Sequence, residues 1–192
     1  MLRQRRELAE LIGFETRNKY ALETGDGRPL DFAAEHADGL LGMVARHFLG
    51  HWRRFELVFF DAERRPVVRA RHPFRWFFQR LDIEREGSGA IGALQQRWAP
   101  LSKRFDVLDA HGQLLFEVRS PFWRLWTFPF TRGGQQRACI QKRWAGTLGE
   151  LFTDADSFRV TFDDGALSAD ERLLVLAAAV FVDLQYFEKK AS

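Results

Sequence analysis

The feature that most constrains this chain is a run of ten apolar residues without a charge, from Leu173 to Val182. A capping-box sequence, Ser-Ala-Asp-Glu, precedes it at 168–171 and indicates the start of a helix. A helix that is apolar on all sides has to be enclosed, and ten residues rise only about 15 Å, half of a bilayer core. Asp183 ends the run and is expected at the mouth of the enclosure, because full burial would require a polar partner. The sequence therefore predicts an enclosed central helix over 168–187, with its principal residues at Leu173, Leu176, Val180, Phe181 and Asp183.

The rest of the chain is a series of short strand-like segments separated by turn signals. Three β-hairpins are predicted: Asn18–Glu23 with Pro29–Glu35, Arg54–Phe60 with Pro66–Arg71, and Arg104–Leu108 with Gln113–Arg119. Residues 1–13 are expected to form an N-terminal extension or short helix, because Leu2–Ile12 has helical spacing. Residues 14–188 are expected to form one domain, followed by a tail at 189–192.

The second half of the chain partly repeats the first. Pro73-Phe74 recurs as Pro121-Phe122, and a strand ending in Arg97-Trp98 recurs as one ending in Arg143-Trp144. Two copies are too few for a solenoid. A sheet closed into a barrel would use two similar units and leave no free edge.

Composition excludes several classes of protein. One Cys cannot form an intramolecular disulfide, and no window approaches the roughly 20 apolar residues of a membrane-spanning helix. The first thirty residues lack the apolar core of a signal peptide. A net charge of +3 does not by itself indicate a nucleic-acid partner, and none is expected. We therefore expect a cytoplasmic, single-domain protein.

Two aromatic-basic segments, at 72–80 and 121–130, hold three of the six Trp residues. Trp favours the boundary between water and hydrocarbon, and Arg binds phosphate through its planar guanidinium group. The alternative is that alternate members of each segment fill the core. The candidate lipid-binding residues are Arg75, Trp76, Arg80, Trp123, Arg124 and Trp126.

Other motifs are weak as sites of chemistry. His47 and His51 have the spacing of a helical metal pair, but Gly50 weakens a helix there and the acidic residue of a zincin motif is absent. The Gly-rich stretch at 87–92 precedes a strand and is interpreted as a hairpin turn, not a dinucleotide site. No nucleophile stands in a recognisable catalytic setting, so enzymatic activity is not expected.

Several of these segments together resemble the phospholipid scramblase family. Ile91-Gly92, Gln96 and Trp98, followed by the hairpin at 105–109, are similar to its "IG…Q.W" and "F…D" pattern. The segments 142–146, 150–158 and 174–188 are similar to its "K.W.G…E.FTDAD.F" stretch and closing helix, and the match spans about 14–188. The resemblance implies the tubby-like fold shared with tubby and plant LURP-one-related proteins, a twelve-stranded β-barrel around a hydrophobic C-terminal helix. The long Pro-rich N-terminal region and the Cys palmitoylation cluster of eukaryotic scramblases are absent from this sequence.

The resemblance also implies a calcium segment, with Asp154, Asp156 and Asp163 as ligands. Ca²⁺ prefers about six to eight oxygen ligands, and the positively charged Arg159 lies within the same stretch. The alternative is an Asp-rich turn, a strand at Phe158–Phe162 and a second turn. Calcium therefore stays an open hypothesis, and no other cofactor is expected.

The functional hypothesis is a scramblase-like protein that contacts phospholipid peripherally at the cytoplasmic face of a membrane, with lipid translocation in both directions as the further activity. A protein partner remains an option. The alternative is a soluble, non-enzymatic ligand- or protein-binding module on the same barrel. Membrane binding separates the two hypotheses.

Overall fold

The structure of the chain is a computed structural model. It describes residues 2–5, 16–23, 29–36, 55–61, 63–124, 126–143, 157–163, 165 and 167–186. The strands are β1 (Leu2–Arg5), β2 (Thr16–Glu23), β3 (Pro29–His36), β4 (Phe55–Phe60), β5 (Pro66–His72), β6 (Arg80–Arg85), β7 (Gly89–Gln96), β8 (Ser102–Asp109), β9 (Leu114–Pro121), β10 (Thr127–Arg132), β11 (Gln135–Arg143) and β12 (Ser157–Phe162). A short 3₁₀ helix (Phe122–Arg124) precedes β10, and the helix α1 (Ala169–Tyr186) follows β12.

Strands that follow one another along the chain pair antiparallel throughout, so the nine strands β4–β12 form one meandering sheet. The three predicted hairpins are confirmed as β2–β3, β4–β5 and β8–β9. The prediction of a mainly β protein with a hydrophobic C-terminal helix is also confirmed.

The N-terminal helix prediction is wrong for Leu2–Arg5. These residues form β1, which pairs with β2 over four residues and with β12 through Leu2 with Phe158 and Arg3 with Ser157. Helical spacing over so short a segment is a weak signal, and pairing with two neighbouring strands satisfies the backbone instead. Residues 6–13 of the predicted helix lie outside the described residues.

The core is built from alternate residues of the strands. In β5, Val68, Ala70 and His72 are buried, whereas Arg69 and Arg71 lie on the outer face. Rings pack edge-to-face between neighbouring strands, as in Phe116 with Phe130, and between a strand and the helix, as in Phe105 with Phe181. The largest fully buried side chains on the strands are Phe105, Phe116, Phe128, Phe130, Phe158, Leu57, Leu81, Ile83 and Leu94. The buried aromatic side chains of the strands and of α1 therefore belong to a single core.

The predicted enclosure of the helix is clear from burial. Leu174, Val175 and every residue from Ala177 to Val182 are fully buried, and Leu173 and Leu176 are half-buried against the same core. The capping box is confirmed, because the Glu171 amide donates to Ser168 Oγ at 3.2 Å and the Ser168 amide donates to Glu171 Oε2 at 2.7 Å. Among the described residues, no helix has both the length and the apolar character needed to cross a bilayer.

The helix has a defined direction in the sheet. At its start, Asp170 pairs with Arg85 at the end of β6 at 2.8 Å, and Glu171 pairs with Arg132 at the end of β10. Towards its end, the Phe181 ring lies 6.5 Å from the ring of His72, the last residue of β5. The C-terminal end of α1 therefore lies at the end of the sheet where β5 finishes and β6 begins.

Asp183 was expected at the mouth of the enclosure so that it would avoid full burial, but it is buried. Its side chain is 3% exposed, and it takes part in a polar or electrostatic contact with the rest of the protein. A carboxylate can be buried when such a contact compensates for the loss of water. The sequence could not identify that contact, because a contact of this kind depends on side chains brought together by the fold.

Gly92 occupies a place in β7 where a side chain cannot fit. A Cβ atom there would lie 2.2 Å from the Leu108 carbonyl oxygen and 3.0 Å from both methyl carbons of Leu174 on α1. We expect Gly92→Ala to lower the free energy of unfolding by about 3 kcal/mol, because the backbone of β8 has to move. Urea unfolding followed by circular dichroism measures the change.

The matched control for this prediction is Gly165→Ala, because a Cβ at Gly165 has no atom within 4 Å. We expect its free energy of unfolding to stay within about 0.5 kcal/mol of the wild type. Equal stability of the two variants would contradict the close approach of β7, β8 and α1.

Glu171 makes stability depend on pH. Burial acts to raise the pKa of its carboxyl group, but hydrogen bonds from the Arg132 side chain and the Ser168 amide outweigh burial and lower the pKa below its ordinary value. The folded-state pKa is depressed, so this stabilisation is present above the ordinary value of 4.5 and is lost as the pH falls through the folded-state pKa. We expect Glu171→Gln to lower the free energy of unfolding by about 1 kcal/mol at neutral pH.

The difference between Glu171→Gln and the wild type should shrink as urea unfolding is repeated at successively lower pH, because protonation makes the two side chains alike. Glu63→Gln, at an exposed position, is the control for loss of a surface charge. A difference that stays constant from neutral to acidic pH would contradict a role for the Glu171 charge.

Candidate functional site

Every second connection of an antiparallel meander lies at the same end of the sheet. Residues 73–79 join β5 to β6, residues 97–101 join β7 to β8, and the 3₁₀ helix 122–124 lies between β9 and β10. We call the end formed by these three segments the aromatic end. The turns after β4, β6, β8 and β10 lie at the opposite end, which we call the turn end.

Exposed apolar side chains concentrate at the aromatic end. In the part of the chain that the structure describes, seven large apolar residues are exposed, and only Leu114 lies at the turn end. The six at the aromatic end are between 45% and 79% exposed: Trp76, Phe77, Phe78, Trp98, Leu101 and Trp123. An exposed apolar cluster of this kind on a folded domain is typical of a surface that contacts a partner or a membrane.

The loop at 73–79 is held by the backbone and amide side chains of β7. The Gln79 amide donates to Gln96 Oε1 at 2.9 Å, and the Gln96 amide donates to the Gln79 carbonyl at 2.8 Å. Gln95 Nε2 donates to the Phe78 carbonyl at 3.2 Å. Phe78 itself has a φ of 52°, in the left-handed region, so the chain turns sharply there. These contacts hold the loop in the conformation that exposes Trp76 and Phe77.

The segment between β9 and β10 separates its two Trp residues. Ser120 Oγ donates to the Arg124 carbonyl at 2.8 Å, and Trp123 is exposed. Trp126 is half-buried against the core, and Lys142 Nζ lies 5.6 Å from its ring centroid. Trp123 therefore belongs to the exposed surface, whereas Trp126 belongs to the wall of the core.

Basic side chains flank the exposed apolar residues. Arg75 and Arg124 are exposed, and neither guanidinium group has an acidic partner among the described residues. Arg80 is half-buried and its Nε lies 2.6 Å from Asp82 Oδ1. Unpaired guanidinium groups beside exposed Trp rings can bind phosphate at a water–hydrocarbon boundary.

The predicted calcium and metal residues are mostly beyond the described ranges. Asp154, Asp156, His47 and His51 lie outside them. Asp163 is exposed at the turn end and accepts a hydrogen bond from Gln136 Nε2 at 2.5 Å. Within the described residues, no group of three His, Cys, Asp or Glu side chains could hold a metal ion. The calcium site stays a prediction.

Comparison with known proteins identifies the family. The family model described as Scramblase matches residues 1–189. The chain belongs to the scramblase family. It is 27% identical to phospholipid scramblase 1 of Homo sapiens, covering 100% of this chain and 64% of that protein. It is 29% identical to phospholipid scramblase 2 of Bos taurus, covering 98% of this chain and 68% of that protein.

One more distant relative matches over less of its length. A phospholipid scramblase family protein of Schizosaccharomyces pombe is 22% identical, over 97% of this chain and 58% of that protein. The chain thus spans about 58% to 68% of the length of these relatives. No solved structure matches the chain significantly.

In this scramblase-family chain, the fold brings together residues from both predicted aromatic-basic segments. Arg75 and Trp76 lie at the same end as Trp123 and Arg124. Sequence reasoning missed Trp98 and Leu101, because Trp98 was assigned to the end of a strand, whereas β7 ends at Gln96. The position of Trp98 and Leu101 could have been predicted from the sequence, because a meander of hairpins puts the connection after β7 at the same end as the connection after β5.

Proposed function

We propose that this scramblase-family chain binds phospholipid membranes peripherally, at the cytoplasmic face, with its aromatic end. The observation that carries the proposal is the placement of six exposed large apolar side chains at one end of the sheet. The names of the relatives, phospholipid scramblase 1 and 2, support phospholipid as the partner. The proposed role is contact with lipid, without the making or breaking of covalent bonds.

The physical basis is an end-on contact. Trp and Phe side chains that are exposed in water gain free energy when they enter the membrane interface. Arg75 and Arg124 add attraction to anionic headgroups, worth about 1 kcal/mol each near such a surface. Because the apolar and basic groups share one end, the sheet would stand with its strands pointing towards the membrane and the turn end in water.

We also propose that the sheet is a closed, tubby-like barrel of twelve strands around α1. The pairs of Leu2 with Phe158 and Arg3 with Ser157 support closure, because β1 also pairs with β2. The helix α1 then stays inside the barrel when the protein binds a membrane. Lipid translocation in both directions, if the aromatic end produces it, would arise from local disturbance of the bilayer beneath the exposed loops.

Flotation with lipid vesicles tests membrane binding. The full chain is mixed with vesicles of phosphatidylcholine alone or with added phosphatidylglycerol, at low and high salt. We expect flotation with the anionic vesicles at low salt and weaker flotation at high salt, because salt screens the Arg contribution. If the protein floats under none of these conditions, membrane binding is rejected and a protein partner at the aromatic end is favoured.

Reconstitution into vesicles tests lipid translocation and the predicted calcium site. Fluorescent phospholipid in both leaflets is reduced from outside by dithionite, with and without added Ca²⁺. Loss of the inner-leaflet signal above that of protein-free vesicles supports translocation. A response to Ca²⁺ supports the predicted site at Asp154, Asp156 and Asp163, and its absence rejects these residues as a calcium sensor.

The two exposed Arg residues give a separate prediction. We expect Arg75→Glu combined with Arg124→Glu to lower partitioning onto anionic vesicles by at least about tenfold, since each charge near the surface is worth about 1 kcal/mol. Binding to neutral vesicles should change much less. Arg64→Glu, exposed at the turn end, is the control, and an equal loss in this control would contradict end-on binding.

A further inference from the structure

A groove with charged side chains runs along the outer wall of the sheet, from Pro73 at the aromatic end to the turn after β8 at the turn end. It has a volume of about 610 Å³ and is lined by residues of β4 to β8 and the turn after β8. Its charged lining consists of Glu56, Arg71, Arg80, Asp82, Glu84 and Asp109. A volume of this size is within the range of small-ligand sites.

Strand register places the groove on the outer face. Glu56 pairs with Arg71, Arg71 pairs with Asp82, and Asp82 pairs with Ala93, so these residues form one row across four strands. Their neighbours in sequence, such as Leu57, Ala70 and Leu81, are buried in the core. On the β7–β8 side the lining is small, with Ala90, Gly92, Ala93, Ala110 and Gly112. Small residues beside long charged ones leave the space that forms the groove.

The charged groups in the groove are only partly used by each other. Arg71 reaches Glu84 through Nη1 at 3.1 Å and Glu56 through Nε at 3.7 Å. Arg80 reaches Asp82 through Nε at 2.6 Å and Gln95 through Nη1 at 3.5 Å. Among the described residues, no contact uses Nη2 of either Arg or Oδ2 of Asp82. The groove therefore presents both N–H donors and carboxylate oxygens to a ligand.

The charged lining is suited to a ligand that carries both signs of charge. The groove is lined by two guanidinium groups and four carboxylates, so an anion alone would face more carboxylates than cations. A group carrying one phosphate and one ammonium satisfies both signs, with phosphate at the Arg donors and ammonium at the acceptors. Such a zwitterion is the headgroup chemistry of choline and ethanolamine phospholipids.

We propose that this groove binds the zwitterionic headgroup of a membrane phospholipid, with phosphate at Arg71 and Arg80 and the ammonium at Asp82 and Glu84. The proposal deepens the membrane role proposed above and rests on it for the lipid source. Pro73, the first residue of the loop that carries Trp76, also lines the groove. A headgroup that enters at the aromatic end can therefore reach the groove while its acyl chains stay in the bilayer.

The groove is tested with headgroup compounds in solution. Glycerophosphocholine and glycerophosphoglycerol, which lack acyl chains, are added to the full chain and followed by backbone amide chemical shifts. We expect shifts at groove residues such as Ala93 and Gly112 with glycerophosphocholine, and affinity at least about tenfold weaker for glycerophosphoglycerol. Dihexanoyl phosphatidylcholine below its micelle concentration should bind several-fold more tightly than glycerophosphocholine if the source is lipid.

Three variants test where the ligand binds. Ala110→Trp fills the groove from an exposed turn position, and we expect it to abolish the shifts. His111→Trp places the same side chain at the next residue, which does not line the groove, and should leave the shifts intact. Asp82→Asn should weaken glycerophosphocholine binding by about tenfold and reduce its preference over glycerophosphoglycerol. Thermal unfolding confirms that each variant is folded.

The outcomes separate this proposal from membrane binding. A chain with Trp76 and Phe77 replaced by Ser should fail to float with vesicles but should still bind glycerophosphocholine in solution. Equal affinity for the two glycerophosphodiesters, or unchanged binding in Ala110→Trp, would overturn the groove site even if the protein floats. Tighter binding of glycerophosphocholine than of its dihexanoyl form would overturn the lipid as source.

Discussion

Replacing Trp76, Phe77 and Trp98 together with Ser is expected to lower partitioning onto anionic vesicles by at least about a hundredfold. Full burial of a large apolar side chain is worth about 1.5–3 kcal/mol, and each tenfold in affinity corresponds to about 1.4 kcal/mol. These three side chains are exposed in water, so their loss costs little in the folded protein. Vesicle flotation or sedimentation with a fluorescently labelled chain measures the partition coefficient.

Leu114→Ser is the matched control for this variant. Leu114 is exposed as well, but it lies at the turn end, where β9 begins. We expect its partition coefficient to stay within about twofold of the wild type, because a single surface substitution has little effect on a contact made at the other end. If Leu114→Ser and the triple variant lost binding equally, the end-on orientation would be wrong.

The second large effect is expected from a charged side chain at a buried position of α1. Ala178 is fully buried at the middle of α1, and Ala178→Asp would place a carboxylate where the neighbours are apolar. Leaving a charge unpaired in a core costs several kcal/mol, which is comparable with the whole stability of a domain of about 5–15 kcal/mol. We expect this variant to lose its cooperative thermal transition and its near-ultraviolet circular dichroism.

Ala169→Asp makes the same substitution in the same helix and serves as its control. Ala169 is exposed in the first turn of α1, where a negative charge interacts favourably with the helix dipole. We expect this variant to unfold at the wild-type temperature or slightly above it. A stable, folded Ala178→Asp protein would contradict the enclosed position of α1.

Local chemistry explains why much of the fold could be predicted. The hydroxyl of Ser168 and the carboxylate of Glu171 are three residues apart, so their capping contacts follow from sequence spacing alone. The turns between β4 and β5 and between β8 and β9 likewise depend on neighbouring residues, such as Asp61 with Arg65 and Asp109 with Gln113. The helix prediction for Leu2–Arg5 was wrong because these residues form a strand that depends on pairing with β2 and β12.

The candidate site was predictable only in part. Arg75, Trp76, Trp123 and Arg124 were named from composition, and the structure places all four at the aromatic end. Trp126 was grouped with them, but it lies directly before β10 and packs against the core. Arg80 lines the groove on the outer wall of the sheet and pairs with Asp82. Side-chain direction depends on strand register, which single-residue chemistry does not determine.

The sequence by itself determined the enclosed helix, because an apolar run with a capping box has few stable alternatives in water. It also determined the hairpins, whose turns are local. The tertiary structure decided which loops share an end, where the buried Asp183 carboxylate lies and how the charges of four strands form a groove. These features depend on contacts between residues far apart in the chain, and strand pairing is what brings such residues together.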